Sequence, residues 1–217
     1  MSDEVSLSPA PGFIEPQLQD EFPGLRLDWL TVAARPGHSP PALVRRLKAL
    51  STGYRGASVV AMRTKPIPQA FRIFFRHIGL DPDVTRVPSE AAAVARLLHG
   101  EFRSAGLIPD ACLVALIETG VPVWALDADV VDEGGLGIRT ATATDLSEEA
   151  TQLLRLSPGG LVVGDRSAVH AALFGEQAAG RAVGPRTRRV ILYSVGVDGV
   201  PAIHVEEALW TCLEALR

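Results

Sequence analysis

Asp127 and Arg139 stand out among the charged residues because each lies in or at the end of a short apolar stretch, VPVWALD at 121–127 and GIRT at 137–140. A charge in such a setting needs a partner, since burying it alone is costly. The two are expected to face a shared pocket, where arginine's planar fork holds either an internal carboxylate or the anion of a ligand. A structural ion pair and a binding site fit this pattern equally. Arg86, Ser89 and Glu90 form a second polar group where a helix begins, with Ser89 expected to cap the helix and Glu90 favoured by its dipole. The alternative is a ligand-facing cluster. Glu118, near the end of the apolar run ACLVALIETG, is either a helix-end surface residue or a paired carboxylate. Asp165 follows GGLVVG and is expected to bound a turn rather than point into a cleft.

His170 and His204 lack metal-ligand spacing with the other histidines, so no metal is expected and both imidazoles read as structural. Cys112 and Cys212 sit in apolar helical patterns and read as buried, inert thiols rather than as a disulfide or ligands. Arg181, Arg186, Arg188 and Arg189 make the densest basic cluster, either a face for RNA phosphates or the solvated start of a strand.

The elements that must position these residues follow from composition and periodicity. The 217 residues are 47% hydrophobic and 21% charged, enough apolar surface for one globular domain and too much for disorder. A net charge of −4 argues against nucleic-acid binding by bulk electrostatics and sets no DNA expectation. No apolar run reaches the roughly 20 residues that span a bilayer. The start MSDEVSLSPAPG lacks the pattern of a signal peptide, so a cytoplasmic protein without membrane partners is expected.

Four prolines in residues 1–24 predict an extended, loosely ordered lead-in. LRLDWLTVAAR at 25–35 reads as a strand, 43–50 as a helix, and 69–79 as a helix with Phe71, Phe74 and Phe75 on its core face. Further helices are predicted over 88–99, closed by Gly100, and over 111–120, the latter buried. From Val121 the pattern turns to short strands, VPVWALD, GGLGIRTAT, GGLVVGD and RRVILYSV, before a closing helix over 203–216. Helices first, strands later and a terminal helix indicate an α+β fold, its helical half packed on a mixed or antiparallel sheet.

From Ile67 to Asp165 the order of segments resembles the B3/B4 domain of bacterial phenylalanyl-tRNA synthetase beta chains. The resemblance rests on GLDP at 79–82, RVPSE at 86–90, GVPVWALD at 120–127, GIR at 137–139 and TRRV at 187–190. It implies a free-standing B3/B4-like domain over 25–217 after the lead-in of 1–24. In the synthetase that domain hydrolyses tyrosine wrongly attached to tRNA. Where the family carries Pro-x-His the strand here has Trp124, and the helix position of the family's Asn falls on Leu113, so the resemblance implies a fold without the editing residues. The family's acidic residue falls within FGEQAAGRAVG, at Glu176 in one register and at Arg181 or Ala182 in another.

The resemblance implies a protein that binds tRNA or an amino-acid-like molecule in a cleft lined by Trp124, Asp127 and Arg139, with no cofactor. A second reading is a trans-acting deacylase of mischarged aminoacyl-tRNA, with Glu176 or Glu118 orienting water and backbone donors near Gly175 holding the oxyanion. A third is a small-molecule sensor or partner-binding protein without RNA contact.

Overall fold

Proline decides where several helices begin, because its fixed φ suits a first turn and its missing N–H would have no partner there. In the computed structural model, which describes residues 8–54, 56–147, 154 and 156–217, α1 (Pro16–Glu21) and α2 (Pro41–Gly53) start in this way. After α3 (Gly56–Met62), so do α4 (Pro66–His77) and α5 (Pro88–His99). Then come α6 (Leu107–Thr119), α7 (Ala143–Ser147) and α8 (Ala202–Leu216). Two four-stranded sheets complete an α+β fold, one antiparallel and one mixed. The strands are β1 (Ala10–Pro11), β2 (Phe13–Ile14), β3 (Arg26–Ala33), β4 (Val123–Asp127), β5 (Gly137–Thr140), β6 (Leu161–Gly164), β7 (Val169–Ala172) and β8 (Arg189–Gly196). Their orders are β1-β3-β8-β4 and β2-β5-β6-β7.

The chain forms two compact units. The first comprises residues up to Arg35 with Trp124–Tyr193, the second Pro36–Val123 with Ser194–Arg217. In the second, Leu43, Leu47, Phe102, Val114 and Ile117 form a buried cluster, and Phe71, Phe74 and Phe75 of α4 are buried as the 3.6-residue spacing requires. Each such phenyl ring contributes about 1.5–3 kcal/mol on leaving water. Gly100 and Gly120 end α5 and α6 in the left-handed region, at φ 82° and 78°. In the first unit a smaller cluster gathers Ala141, Val162, Val169 and Ala178.

α5 spans the predicted residues, and α2, α4, α8, β3, β4, β5, β6 and β8 lie where the pattern places them. The lead-in does not stay loose: β1 pairs antiparallel with β3, β2 pairs parallel with β5, and Leu18 of α1 is buried. Residues 1–7 lie outside the described residues. Pro11 ends a short strand and Pro16 starts a helix, so the prolines of the lead-in shape structure instead of preventing it. α6 begins four residues before the predicted 111, taking Pro109 into its first turn. β7 has no counterpart among the predicted strands. Among the described residues no helix is long and apolar enough to cross a membrane.

Candidate functional site

Helix ends line one cavity of about 420 Å³ in the second unit. Lys65, Pro66 and Ile67 bring the N-terminus of α4, Ser89 that of α5, Pro201 and His204 that of α8, and Leu116 to Gly120 the C-terminus of α6. Helix N-termini carry partial positive charge and unpaired amides; a C-terminus presents carbonyls and partial negative charge. None of the three N-termini has a side-chain cap. Met62, Leu116 and Ile117 supply apolar wall, and Tyr54, Ser89 and Thr119 hydroxyls. The Tyr54 hydroxyl, pushed up in pKa by burial, stays protonated and donates to the Ile117 carbonyl at 3.3 Å.

Ser89 does not cap α5. The N-cap is Val87, with Pro88 in the first turn, so the serine falls two positions too late to serve. Its residue is 5% exposed and its hydroxyl is buried without a hydrogen-bond partner. Such a group costs roughly 1–3 kcal/mol until something pairs with it. Glu118 is paired from outside the cavity: Arg46 Nε donates to Oε1 at 2.8 Å and Nη2 to Oε2 at 2.6 Å. His204 Nδ1 lies 3.0 Å from Glu207 Oε2.

Glu90 sits in the first turn of α5, where the dipole favours it, but its partner is Arg72, with Nη1 at 3.1 and 3.0 Å from its two oxygens. Arg72 also donates to Asp83 at 2.9 Å, and Arg63 approaches Asp83 at 3.1 Å. The hydrogen bond from Arg72 lowers the Asp83 pKa. Arg86 is exposed and, among the described residues, makes no ion pair with this network, so the predicted trio does not act as one cluster.

In the first unit Arg139 and Asp127 have different partners. Arg139 is 9% exposed and grips Asp145, Nη1 to Oδ2 at 2.7 Å and Nη2 to Oδ1 at 2.9 Å, while Nε donates to the Asp165 carbonyl at 2.8 Å. The Arg139 bond holds the Asp145 carboxyl far below the usual range against the opposing effect of burial. Asp127 accepts the Thr187 hydroxyl at 2.5 Å and the Asp129 amide at 3.0 Å. Trp124 stacks on Tyr193 with centroids 5.5 Å apart and tilts against Phe174 at 5.7 Å.

Neither the family models nor the curated proteins contain a match to this chain.

Asp165 bounds the turn between β6 and β7, as expected, accepting the Ser167 hydroxyl and the Ser167 and Ala168 amides, each at 2.7 Å. Burial raises its pKa, but these bonds outweigh it and the net shift is downward. Its second oxygen is 3.0 Å from His170 Nε2. Burial lowers the His170 pKa despite that carboxylate, and its Nδ1 is buried without a partner. Glu176 is exposed, and the Gly175 amide already donates to the Ala172 carbonyl at 2.9 Å, which leaves it unavailable to an oxyanion. Arg186, Arg188 and Arg189 are exposed; Arg181 is half-buried and donates to the Val130 carbonyl.

Ser89, Glu118 and His204 were each singled out from sequence, but nothing in their spacing joins them to one another or to Lys65. Asp110 was missed altogether. It is 1% exposed and accepts the Ser39 hydroxyl at 2.5 Å and the Ala105 amide at 2.7 Å, tying two loops to α6. A lone aspartate four residues after a glycine gave no usable signal. Among the described residues no three metal-binding side chains converge.

Proposed function

We infer that this chain binds a small amino-acid-like molecule in the cavity of the second unit. The observation that carries this reading is the unpaired, buried Ser89 hydroxyl at a cavity lined by three uncapped helix N-termini and the C-terminal carbonyls of α6. A free amino acid has the matching chemistry. Its carboxylate suits the N-terminal ends of α4, α5 and α8, the Lys65 ammonium and the Ser89 hydroxyl. Its ammonium suits the C-terminal carbonyls of α6, and an apolar side chain suits Met62, Leu116 and Ile117. Binding of this kind breaks no bond. The resemblance to a domain that handles the aminoacyl end of tRNA supports the same ligand class, at a place other than the Trp124, Asp127 and Arg139 cleft expected from it, since those side chains already have partners.

The test is a thermal-shift and calorimetric survey of apolar amino acids beside their amides and decarboxylated amines. The reading expects an amino acid to raise Tm while both truncated series lose affinity by about tenfold or more, the effect of removing a charge-assisted hydrogen bond. Absence of any shift at millimolar amino acid would sink it.

A further inference from the structure

Cys112 of α6 and Cys212 of α8 are a hundred residues apart in sequence, yet the Cys212 thiol donates a hydrogen bond to the Cys112 sulfur across 3.8 Å. Both residues belong to the second unit. Cys212 is fully buried whereas Cys112 is half-buried. We propose that Cys112 and Cys212 are a reversible oxidation site, at which a hydroperoxide converts the two thiols into a disulfide joining α6 to α8.

The asymmetry of the pair assigns the order of events. Cys112 is the sulfur a small oxidant can reach, and Cys212 is already directed at it. The Cys112 thiolate attacks one peroxide oxygen and the O–O bond breaks; the departing oxygen takes up a proton and leaves as water or alcohol, and Cys112 becomes a sulfenic acid. The Cys212 sulfur then attacks the Cys112 sulfur, the S–O bond breaks, and the hydroxyl leaves as water with the proton from Cys212. Two thiols are oxidised by two electrons and one peroxide is reduced. The Cys212 thiol is pushed up in pKa by its hydrogen bond to Cys112 and by burial, which suits the resolving rather than the attacking role.

The link would tie two walls of the cavity. Leu116 follows Cys112 by one helical turn, and Pro201 and His204 lie at the other end of α8 from Cys212. Closing a loop of this length in the unfolded chain should raise Tm by roughly 5 °C or more. The site is independent of what occupies the cavity.

The experiment treats the reduced full-length chain with stoichiometric hydrogen peroxide and follows intact mass, maleimide labelling and Tm. The expected product is a monomer that has lost two hydrogens, has no alkylatable thiol, melts higher and recovers both thiols with dithiothreitol. Cys212→Ser should stop at a sulfenic acid on Cys112 that dimedone traps, and Cys112→Ser should not react at the same dose. If the wild-type chain accumulates sulfinic acid, or forms dimers between chains, or keeps both thiols alkylatable, the proposal fails, whether or not either variant folds.

Discussion

Arg139 and Asp145, six residues apart, close on each other through two parallel hydrogen bonds of 2.7 and 2.9 Å in the interior of the first unit. The arginine that sequence marks as a candidate ligand group is thus satisfied within the fold. Asp145→Asn leaves its charge buried without a counter-charge and should lower unfolding stability by about 3 kcal/mol or more, measured by urea denaturation. A loss under about 0.5 kcal/mol would mean that water reaches the pair.

Ser89→Ala should do the opposite to the free protein. Removing a buried hydroxyl without a partner relieves its desolvation cost, so stability in the absence of ligand should rise by about 1 kcal/mol. The same change should weaken amino-acid binding about tenfold, as calorimetry would show. A variant less stable than wild type would reveal a partner for the hydroxyl.

The pH dependence of stability should carry the mark of His170. Burial lowers its folded pKa below the ordinary 6.5, so the unfolded chain takes up a proton first as pH falls. Stability should decline below about pH 6.5, because there the unfolded state binds more protons than the folded one. His170→Gln should flatten this part of the curve between about pH 5 and 7.5. A wild-type curve already flat in that interval would contradict the buried neutral imidazole.

Gly137 pairs with Phe13 in the parallel register of β2 and β5. A Cβ at this position would meet the Phe13 carbonyl oxygen at 2.2 Å and its ring at 2.3 Å. Gly137→Ala should therefore cost about 1–3 kcal/mol and release the N-terminal strands to proteolysis. Unchanged protection of residues 10–21 would show that the strand can shift to accommodate the methyl group.

What sequence could and could not reveal follows the range of the interactions. α5 and the Phe face of α4 are written locally, in a proline, a glycine and a 3.6-residue stripe, and could be read residue by residue. β2 was hidden because two residues make no period; it exists through its pairing with β5, more than 120 positions away. The partner of Arg139 lies only six residues downstream, yet nothing in the local pattern around Asp145 marks it as buried. The cavity is the extreme case. Lys65, Ser89, Glu118 and His204 come from four helices, and the feature that distinguishes Ser89, a hydroxyl left unpaired, has no counterpart in residue order.

Each unit is assembled from segments that are far apart in the chain, Pro36–Val123 with Ser194–Arg217 in one and the stretch to Arg35 with Trp124–Tyr193 in the other. A ribosome reading this message would deliver α6 about a hundred residues before α8, the helix it packs against. At the translation speeds of cells that is an interval of several seconds or more. Until it ends, Cys112 and the apolar side of α6 have no α8 to cover them, and β3 waits longer still for β8. Nascent chains of this protein should therefore depend on chaperones that hold exposed apolar surface, and early termination before β8 should leave two unfinished units instead of one finished and one missing.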